Sequence, residues 1–261
     1  MLSRRNMFDL YWKMERLIAP NLQYSQSAYE DVLGAVIQKE IKWLDLGCGH
    51  QVLPPWRFEQ ERRLVDRAGT VVGLDADSPS IEKHRSIRLR LVGGISILPF
   101  RESTFDLVTA NMVVEHLDNP ELQFREVQRV LRPGGIFVFH TPNARGYPTV
   151  LARLLPEGLK KFLIRVLQAR RGDDVFRTYY RANTEAEIYR LAGVAGFALP
   201  EIRLIASSAE LAVIPPLALF ELLWIRVLLT RTFRHWRTNL IVTLKKQEPS
   251  GEGPTSGPAF F

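Results

Sequence analysis

The 261-residue chain has one cysteine, Cys48, so no internal disulfide can form and a reducing, cytoplasmic compartment is expected. Set between two glycines, Cys48 reads as a small buried residue rather than a reactive thiol. Long apolar runs are also missing. The best stretch, Leu211 to Leu229, is broken by Pro215-Pro216, Glu221 and Arg226, whereas a membrane span needs about 20 mostly apolar residues. The first ten residues include Arg4, Arg5 and Asp9 without an apolar block, so no secretory leader is expected. Acids are too few to balance bases, 28 against 35. The resulting charge of +7 favours anionic partners such as lipid head groups, nucleic acid or an acidic substrate. There is no internal repeat. A 46 % hydrophobic composition is ample for a packed core, and one domain with an insertion is expected.

What the chain does have is a short apolar run closing on Trp43-Leu44-Asp45-Leu46-Gly47-Cys48-Gly49-His50. The run reads as a buried strand, and two glycines one residue apart let the backbone turn tightly against a ligand. Alone, such a turn serves a phosphate, a dinucleotide or a neighbouring helix. One βαβ unit later, Val71-Val72-Gly73-Leu74-Asp75 is a second apolar strand ending on an acid, the place where a ribose diol is gripped. A dinucleotide is disfavoured, because G-x-G-x-x-G is absent and Asp75 lies beyond the usual spacing of roughly 20 residues.

Helices are predicted from about Arg57 to Arg67 and from Ser78, as N-cap, to Ser86. Ile87 to Leu91 alternates apolar and basic residues, as a half-exposed strand near a sheet edge does. Phe105 to Ala110 is a fourth strand with Asn111 at its end. Asp118-Asn119-Pro120-Glu121 then starts a helix to about Arg132, where Pro133-Gly134-Gly135 stops it before a fifth strand, Ile136 to His140. A capping box, Thr184-Glu185-Ala186-Glu187, opens a helix to about Ala195, and Glu201 to Ile205 and Asn239 to Leu244 are further strands.

Around the core region 41–246, residues 1–40 read as a helical cover, with Tyr24, Gln26 and Tyr29 as candidates to reach a ligand, and 247–261 as a disordered tail. Residues 144–183 form an inserted helical cap and 208–238 an apolar helix ending in arginines. Each is either an interfacial helix or a lid with a solvated basic face. Alternating strands and helices favour a parallel sheet covered on both faces. Ligands then sit beyond the strands' carboxyl ends, where Asp45, Asp75, Asn111 and His140 fall.

With Leu98-Pro99-Phe100, Phe105-Asp106-Leu107-Val108, Glu115-His116-Leu117 and Leu131-Arg132-Pro133-Gly134-Gly135, the series resembles the class I S-adenosylmethionine (SAM)-dependent methyltransferases. The likeness is to the type 11 group, which includes ubiquinone and menaquinone biosynthesis enzymes, and covers roughly residues 25 to 145. It implies an α/β, Rossmann-like, seven-stranded and mostly parallel sheet closed by an antiparallel pair, plus a helical cap insertion, with SAM as cofactor. By the same resemblance Gly47 and Gly49 admit the methionine and ribose portions, Asp45 helps hold the amino-acid end, Asp75 with Ala76 meets the ribose, backbone near Ile95 meets the adenine, and Asn111 lies at the rim.

Three positions depart from the family pattern. Gln51 replaces a third glycine, Gly94 a common Asp, and Met112 the first Glu of a metal-associated E-x-x-E-H run, so no metal is expected. His116 and His140 are each either a base for an acceptor hydroxyl or structural, and Tyr147, Tyr179, Tyr180 and Arg181 are acceptor-pocket candidates from the cap. The leading reading is methyl transfer to a small or amphipathic lipid-, quinone- or glycan-like acceptor, with peripheral contact to an anionic membrane. A nucleic-acid substrate is disfavoured because Asn111-Met112-Val113-Val114 lacks the Asn/Asp-Pro-Pro-aromatic base-flipping motif. The other class is a non-catalytic SAM-binding or membrane-associated assembly protein; an NAD-dependent reductase is a poor third.

Overall fold

The computed structural model describes residues 4–154, 177–207 and 215–248. Its centre is a seven-stranded sheet in the order β3-β2-β1-β4-β5-β7-β6. The strands are β1 (Lys42–Leu46), β2 (Thr70–Asp75), β3 (Leu89–Val92), β4 (Phe105–Asn111), β5 (Leu131–Pro142), β6 (Glu201–Ile205) and β7 (Asn239–Lys245). The first five run parallel, and β7 is antiparallel to both β5 and β6. The helices are α1 (Arg4–Ile18), α2 (Ser25–Val36), α3 (Phe58–Arg67), α4 (Ser78–Glu82), α5 (Pro120–Val130), α6 (Tyr147–Leu154), α7 (Glu185–Ala195) and α8 (Pro215–Leu228).

The period of two along each strand divides the core. Leu44, Leu46, Val108, Phe137, Phe139 and Val242 face α5 and α7, while Trp43, Leu107, Val138 and Ile241 face α2 and α3. Asp45 lies in the row of Trp43, and its register partners are Gly73 on β2 and Thr109 on β4, so its carboxylate points beneath α2. A third cluster joins Tyr11 and Ala19 on and beyond α1 to Ala218, Leu222 and Ile225 on α8.

Several boundaries differ from the sequence expectation. Helix α4 stops at Glu82 rather than Ser86, and Asp77, not Ser78, holds the cap position. The helix ends early because the Arg90 guanidinium takes the carbonyls of Ile81 and Glu82, and His84 Nδ1 accepts the Ser86 and Ile87 N–H groups. Strand β5 begins at Leu131, not Ile136: a register shift opposite Phe105–Leu107 takes up Pro133 and the left-handed Gly134 (φ +75°) without ending the pairing. Strand β3 is exposed at all four positions, because it is the sheet's outer edge.

The apolar helix expected over 208–238 is α8 alone within the described residues, followed by a short 3-10 turn at Arg234–Trp236. Arg237 accounts for the break. Its guanidinium donates to the carbonyls of Leu228 and Leu229 at the helix end and to Leu204 on β6, each at 2.9 Å. Of the inserted cap, α6 and residues 177–183 are described; its apolar stripe from Leu155 to Leu167 lies outside the described residues. Among the described residues no helix is long and apolar enough to cross a membrane.

The box at α7 forms as read. Thr184 Oγ1 accepts from the Glu187 N–H, and Glu187 Oε2 accepts from the Asn183 N–H and the Thr184 hydroxyl. Gly196 (φ +79°) closes the other end. Thr184→Ala is expected to lower unfolding stability by about 1 kcal/mol, read as a lower urea midpoint at unchanged slope. An unchanged midpoint would show that the cap contributes nothing here.

Candidate functional site

The turn after β1 is built from two left-handed residues, Gly47 (φ +61°) and Gly49 (φ +49°). At Gly47 a side chain is excluded twice over, because a Cβ would come within 2.4 Å of Val113 Cγ2. The turn is tied to the end of β2: the N–H groups of Gly47 and Cys48 donate to the Leu74 carbonyl, and that of Gly49 to Asp75 Oδ2 at 2.7 Å. Asp75 Oδ1 accepts from the Asp77 N–H at 2.8 Å. Each Asp75 oxygen keeps a second lone pair, and the side chain is half-exposed, with Ala76 exposed beside it. Ile95 and Val113, with Leu46, Ala110, Leu117 and Phe137, line a small apolar cavity at the same end of the sheet.

Asp45 is not on the surface. It is 2 % exposed and accepts a short hydrogen bond from Thr109 Oγ1, which in turn accepts from Trp43 Nε1 at 2.7 Å. Burial pushes its carboxyl up to about 7, and the nearby charges of Glu61 and Asp75 add to the shift. Glu61 is fully buried. It accepts from the N–H groups of Val52 and Leu53 and from the Ser86 hydroxyl, fixing the chain beyond the turn to α3. Burial and the charges of Asp45 and Asp75 push the Cys48 thiol upward, leaving it unreactive in its contact with Gly73.

Asn111 and His140 are register partners, and Asn111 ties the rim together. Its Oδ1 meets His140 Nδ1 at 2.9 Å, and its Nδ2 donates to Gln26 Oε1 and to the Val52 carbonyl. Its polar atoms are thereby committed to protein partners. His140 is 1 % exposed and stacked on the fully buried ring of Tyr29, and burial brings it down to about 4, so it is a neutral core histidine. Tyr29 does not reach a ligand face. Nor does the Tyr24 hydroxyl, which is donated to Glu15.

The other sequence candidates separate into two groups. Glu115 is buried, accepts from the Thr141 hydroxyl at 2.8 Å, and has its carboxyl raised by that burial. Its backbone carbonyl accepts the N–H groups of both Tyr179 and Tyr180, and His116 Nδ1 meets the Arg177 carbonyl at 2.9 Å. The structure thus brings Tyr179 and Tyr180 directly against Glu115, and Arg181 against the Asp118 carbonyl and the Tyr179 ring. Tyr147 is elsewhere: it is buried and donates to the buried Glu221 of α8 at 2.6 Å.

Sequence reasoning missed Glu61, Thr109 and Asn183. Glu61 alone left a signal, an acid three residues before Leu64 on the inward face of α3. Asn183, also buried, donates to Thr141 Oγ1 and the Pro142 carbonyl, joining the chain before α7 to β5. The departure at Gln51 has a local explanation, since it needs no left-handed backbone and receives a short bond from Arg85. Nothing in the structure explains the glycine at Gly94, where a side chain would meet open space. Met112, by contrast, is left-handed (φ +58°) at the rim. Among the described residues no group of three or more His, Cys, Asp or Glu side chains is placed to hold a metal ion.

Because the Asp45 carboxyl is raised on folding, the folded state binds a proton that the unfolded chain has lost above its ordinary range near 4. Stability contributed by this group is therefore full below about pH 4 and falls as pH rises towards about 7. Asp45→Asn keeps the acceptor for Thr109 and is expected to match wild type at pH 4 but to be a few kcal/mol more stable at pH 8. Equal pH slopes in urea denaturation of the two proteins would refute this.

Residues 44–139 match the family model described as "Methyltransferase domain". Two curated relatives are a probable S-adenosylmethionine-dependent methyltransferase of Mycolicibacterium smegmatis and a mitochondrial ubiquinone biosynthesis O-methyltransferase of Schizosaccharomyces pombe. The first is 36 % identical over 83 residues, covering 31 % of this chain and 32 % of the relative. The second is 32 % identical over 154 residues, covering 54 % of this chain and 50 % of the relative. The chain thus spans half the length or less of these two relatives. A crystal structure of an S-adenosylmethionine-dependent methyltransferase from Mesorhizobium loti shares the fold, with a TM-score of 0.53 at 18 % identity over 83 % of this chain and 96 % of that one. Over residues 44–139 the chain therefore carries a methyltransferase domain of the SAM-dependent type 11 group.

Proposed function

We propose that the chain transfers a methyl group from SAM to a small amphipathic acceptor of lipid-, quinone- or glycan-like character, in the cytoplasm and beside an anionic membrane. The carrying observation is the left-handed Gly47–Gly49 turn set among three carboxylates, Asp45, Glu61 and Asp75. SAM bears a sulfonium and an ammonium group, and a partly desolvated acidic pocket suits such a cation. Bound SAM brings an already activated methyl, so the protein's task is alignment, which can lower a barrier by about 7–11 kcal/mol.

Each residue has a part in that alignment. The outer lone pairs of Asp75 suit a ribose diol, the apolar surface of Ile95 and Val113 suits an adenine ring, and Asp45 acts through its field from below rather than by contact. Asn111 and His140 position the rim. His116 is the better candidate base: its ring is half-exposed, and donation from Nδ1 to the Arg177 carbonyl puts the lone pair on Nε2, which lies 3.9 Å from Glu115 Oε1. The name of the Schizosaccharomyces relative makes a quinone-type hydroxyl the first acceptor to try.

Membrane contact is proposed through α8. Its outer face exposes Leu217, Leu219, Leu223 and Phe220 (69 % exposed), and the turn beyond exposes Trp236 (48 %) with Arg231 and Arg234. Apolar and aromatic side chains flanked by arginines suit the boundary of an anionic bilayer. Co-sedimentation with phosphatidylglycerol vesicles at low salt is expected, weakened in Phe220→Ser; no sedimentation of wild type would remove this part of the proposal.

Calorimetric titration tests the cofactor. SAM and S-adenosylhomocysteine are both expected to bind saturably, with Asp75→Ala weakening each at least tenfold through loss of a direct hydrogen-bond acceptor and of the Gly49 anchor. If neither binds, the non-catalytic assembly reading takes precedence.

A further inference from the structure

We propose that the methyl acceptor carries an acidic group, a carboxylate or phosphate, held by Arg153, Arg177 and Arg181 around the rings of Tyr179 and Tyr180. The assignment rests on the methyltransferase reading above and narrows its substrate class. Three guanidinium groups converge on two rings: Arg177 and Arg181 lie 5.0 and 5.3 Å from the centroid of Tyr179, and Arg153, reaching across from α6, lies 5.1 Å from that of Tyr180. Ring faces compensate clustered positive charge only in part. Some arginines pair with acids, as in Arg57–Glu30, Arg129–Glu126, Arg132–Asp106 and Arg190–Glu121, and others, such as Arg90 and Arg237, are taken up by backbone carbonyls. Among the described residues none of these three forms an ion pair.

The nearby acids are turned away. Glu115 bonds inward to Thr141, Asp118 offers Arg181 its backbone carbonyl while its carboxylate accepts from Gln123, and of the two other acids beside Tyr180 and Arg181, Glu121 pairs with Arg190 and Glu187 accepts from Asn183 and Thr184. Nothing on the described surface thus completes the charge, and a guanidinium fork matches a carboxylate or phosphate geometrically.

The position of the cluster is fixed rather than incidental. Tyr180 is held in a left-handed conformation (φ +53°), costly for a residue with a side chain, by the two successive N–H groups that share the Glu115 carbonyl. Arg177 stands beside His116, the candidate base, whose Nδ1 meets its carbonyl. A cationic mouth beside a base also favours the ionised form of an acceptor hydroxyl.

The test uses the full chain with two probes of one tail length, hexyl phosphate and hexyl glucoside, titrated with and without S-adenosylhomocysteine. Wild type is expected to bind the phosphate at least tenfold more tightly, and Arg153→Gln/Arg181→Gln to lose about tenfold of that preference with S-adenosylhomocysteine affinity kept within twofold. Arg153→Gln alone, at an exposed position of α6, is expected to show a smaller loss and serves if the double variant misfolds. Equal affinity for the two probes, or an unchanged preference in the variants, would overturn the inference. Dependence of vesicle sedimentation on these arginines, without hexyl phosphate preference in solution, would reassign them to lipid head groups and overturn it too. The two failures separate: wild type that binds no S-adenosylhomocysteine removes the methyltransferase reading and the acceptor with it, whereas intact cofactor affinity without probe preference removes this inference alone.

Discussion

The turn after β1 is held by hydrogen bonds that its own backbone donates to the end of β2, Gly47 and Cys48 to the Leu74 carbonyl and Gly49 to the Asp75 carboxylate. The rest of the rim depends on this tie. It sets the direction in which the chain leaves the sheet, and Glu61 then secures the following residues through the N–H groups of Val52 and Leu53. Since the Val52 carbonyl also accepts from Asn111, the turn, β4 and β5 are one hydrogen-bonded assembly. A ligand at this edge meets a surface whose polar groups are already oriented, so little ordering is left to be done on binding.

A second assembly secures the opposite side of the site. Glu115, Thr141 and Asn183 are buried and hydrogen-bonded in series, linking the segment after β4, the end of β5 and the start of α7. Glu115 therefore works through both ends: its carboxyl joins the core and its carbonyl fixes Tyr179 and Tyr180. This accounts for a carboxylate placed next to His116 that is nonetheless not a ligand-facing acid. It also explains how α6 and residues 177–183, joined through the Arg153–Tyr180 contact, stay in register with the sheet.

The strands and the glycine turn were legible in the sequence because they follow local rules: an apolar run, a left-handed step and a following acid. So was the capping box of α7. What was not legible came from long-range pairing. The burial of Asp45 follows from its register opposite Thr109, sixty-four positions away, and the burial of His140 from stacking on Tyr29 of α2. Both look like rim residues in sequence, since a strand's end and a strand's inward face cannot be told apart without knowing what covers the face. Tyr147 misled for a related reason. Its hydroxyl finds Glu221, a polar partner on a helix whose apolar composition gave no hint of an inward acid. Glu115 was read as half of a broken metal motif, and only the contact with Thr141 shows a structural role.

The distribution of charge ties the two halves of the site together. Asp45, Glu61 and Asp75 gather on the β1–β2 side, while Arg153, Arg177 and Arg181 gather on the side reached from β4. A net charge of +7 gives the molecule a positive overall field, and the acids under the turn stand against it. Keeping them there is costly, as the upward shift of Asp45 shows, and that cost is reasonable if a cation is to be held at that point. The arginines opposite carry the complementary argument, because among the described residues no acid pairs with them and an anion would complete the cluster. A cationic methyl donor and an anionic acceptor in such a site would each be steered to its own side, and their mutual attraction would favour the close approach that methyl transfer requires.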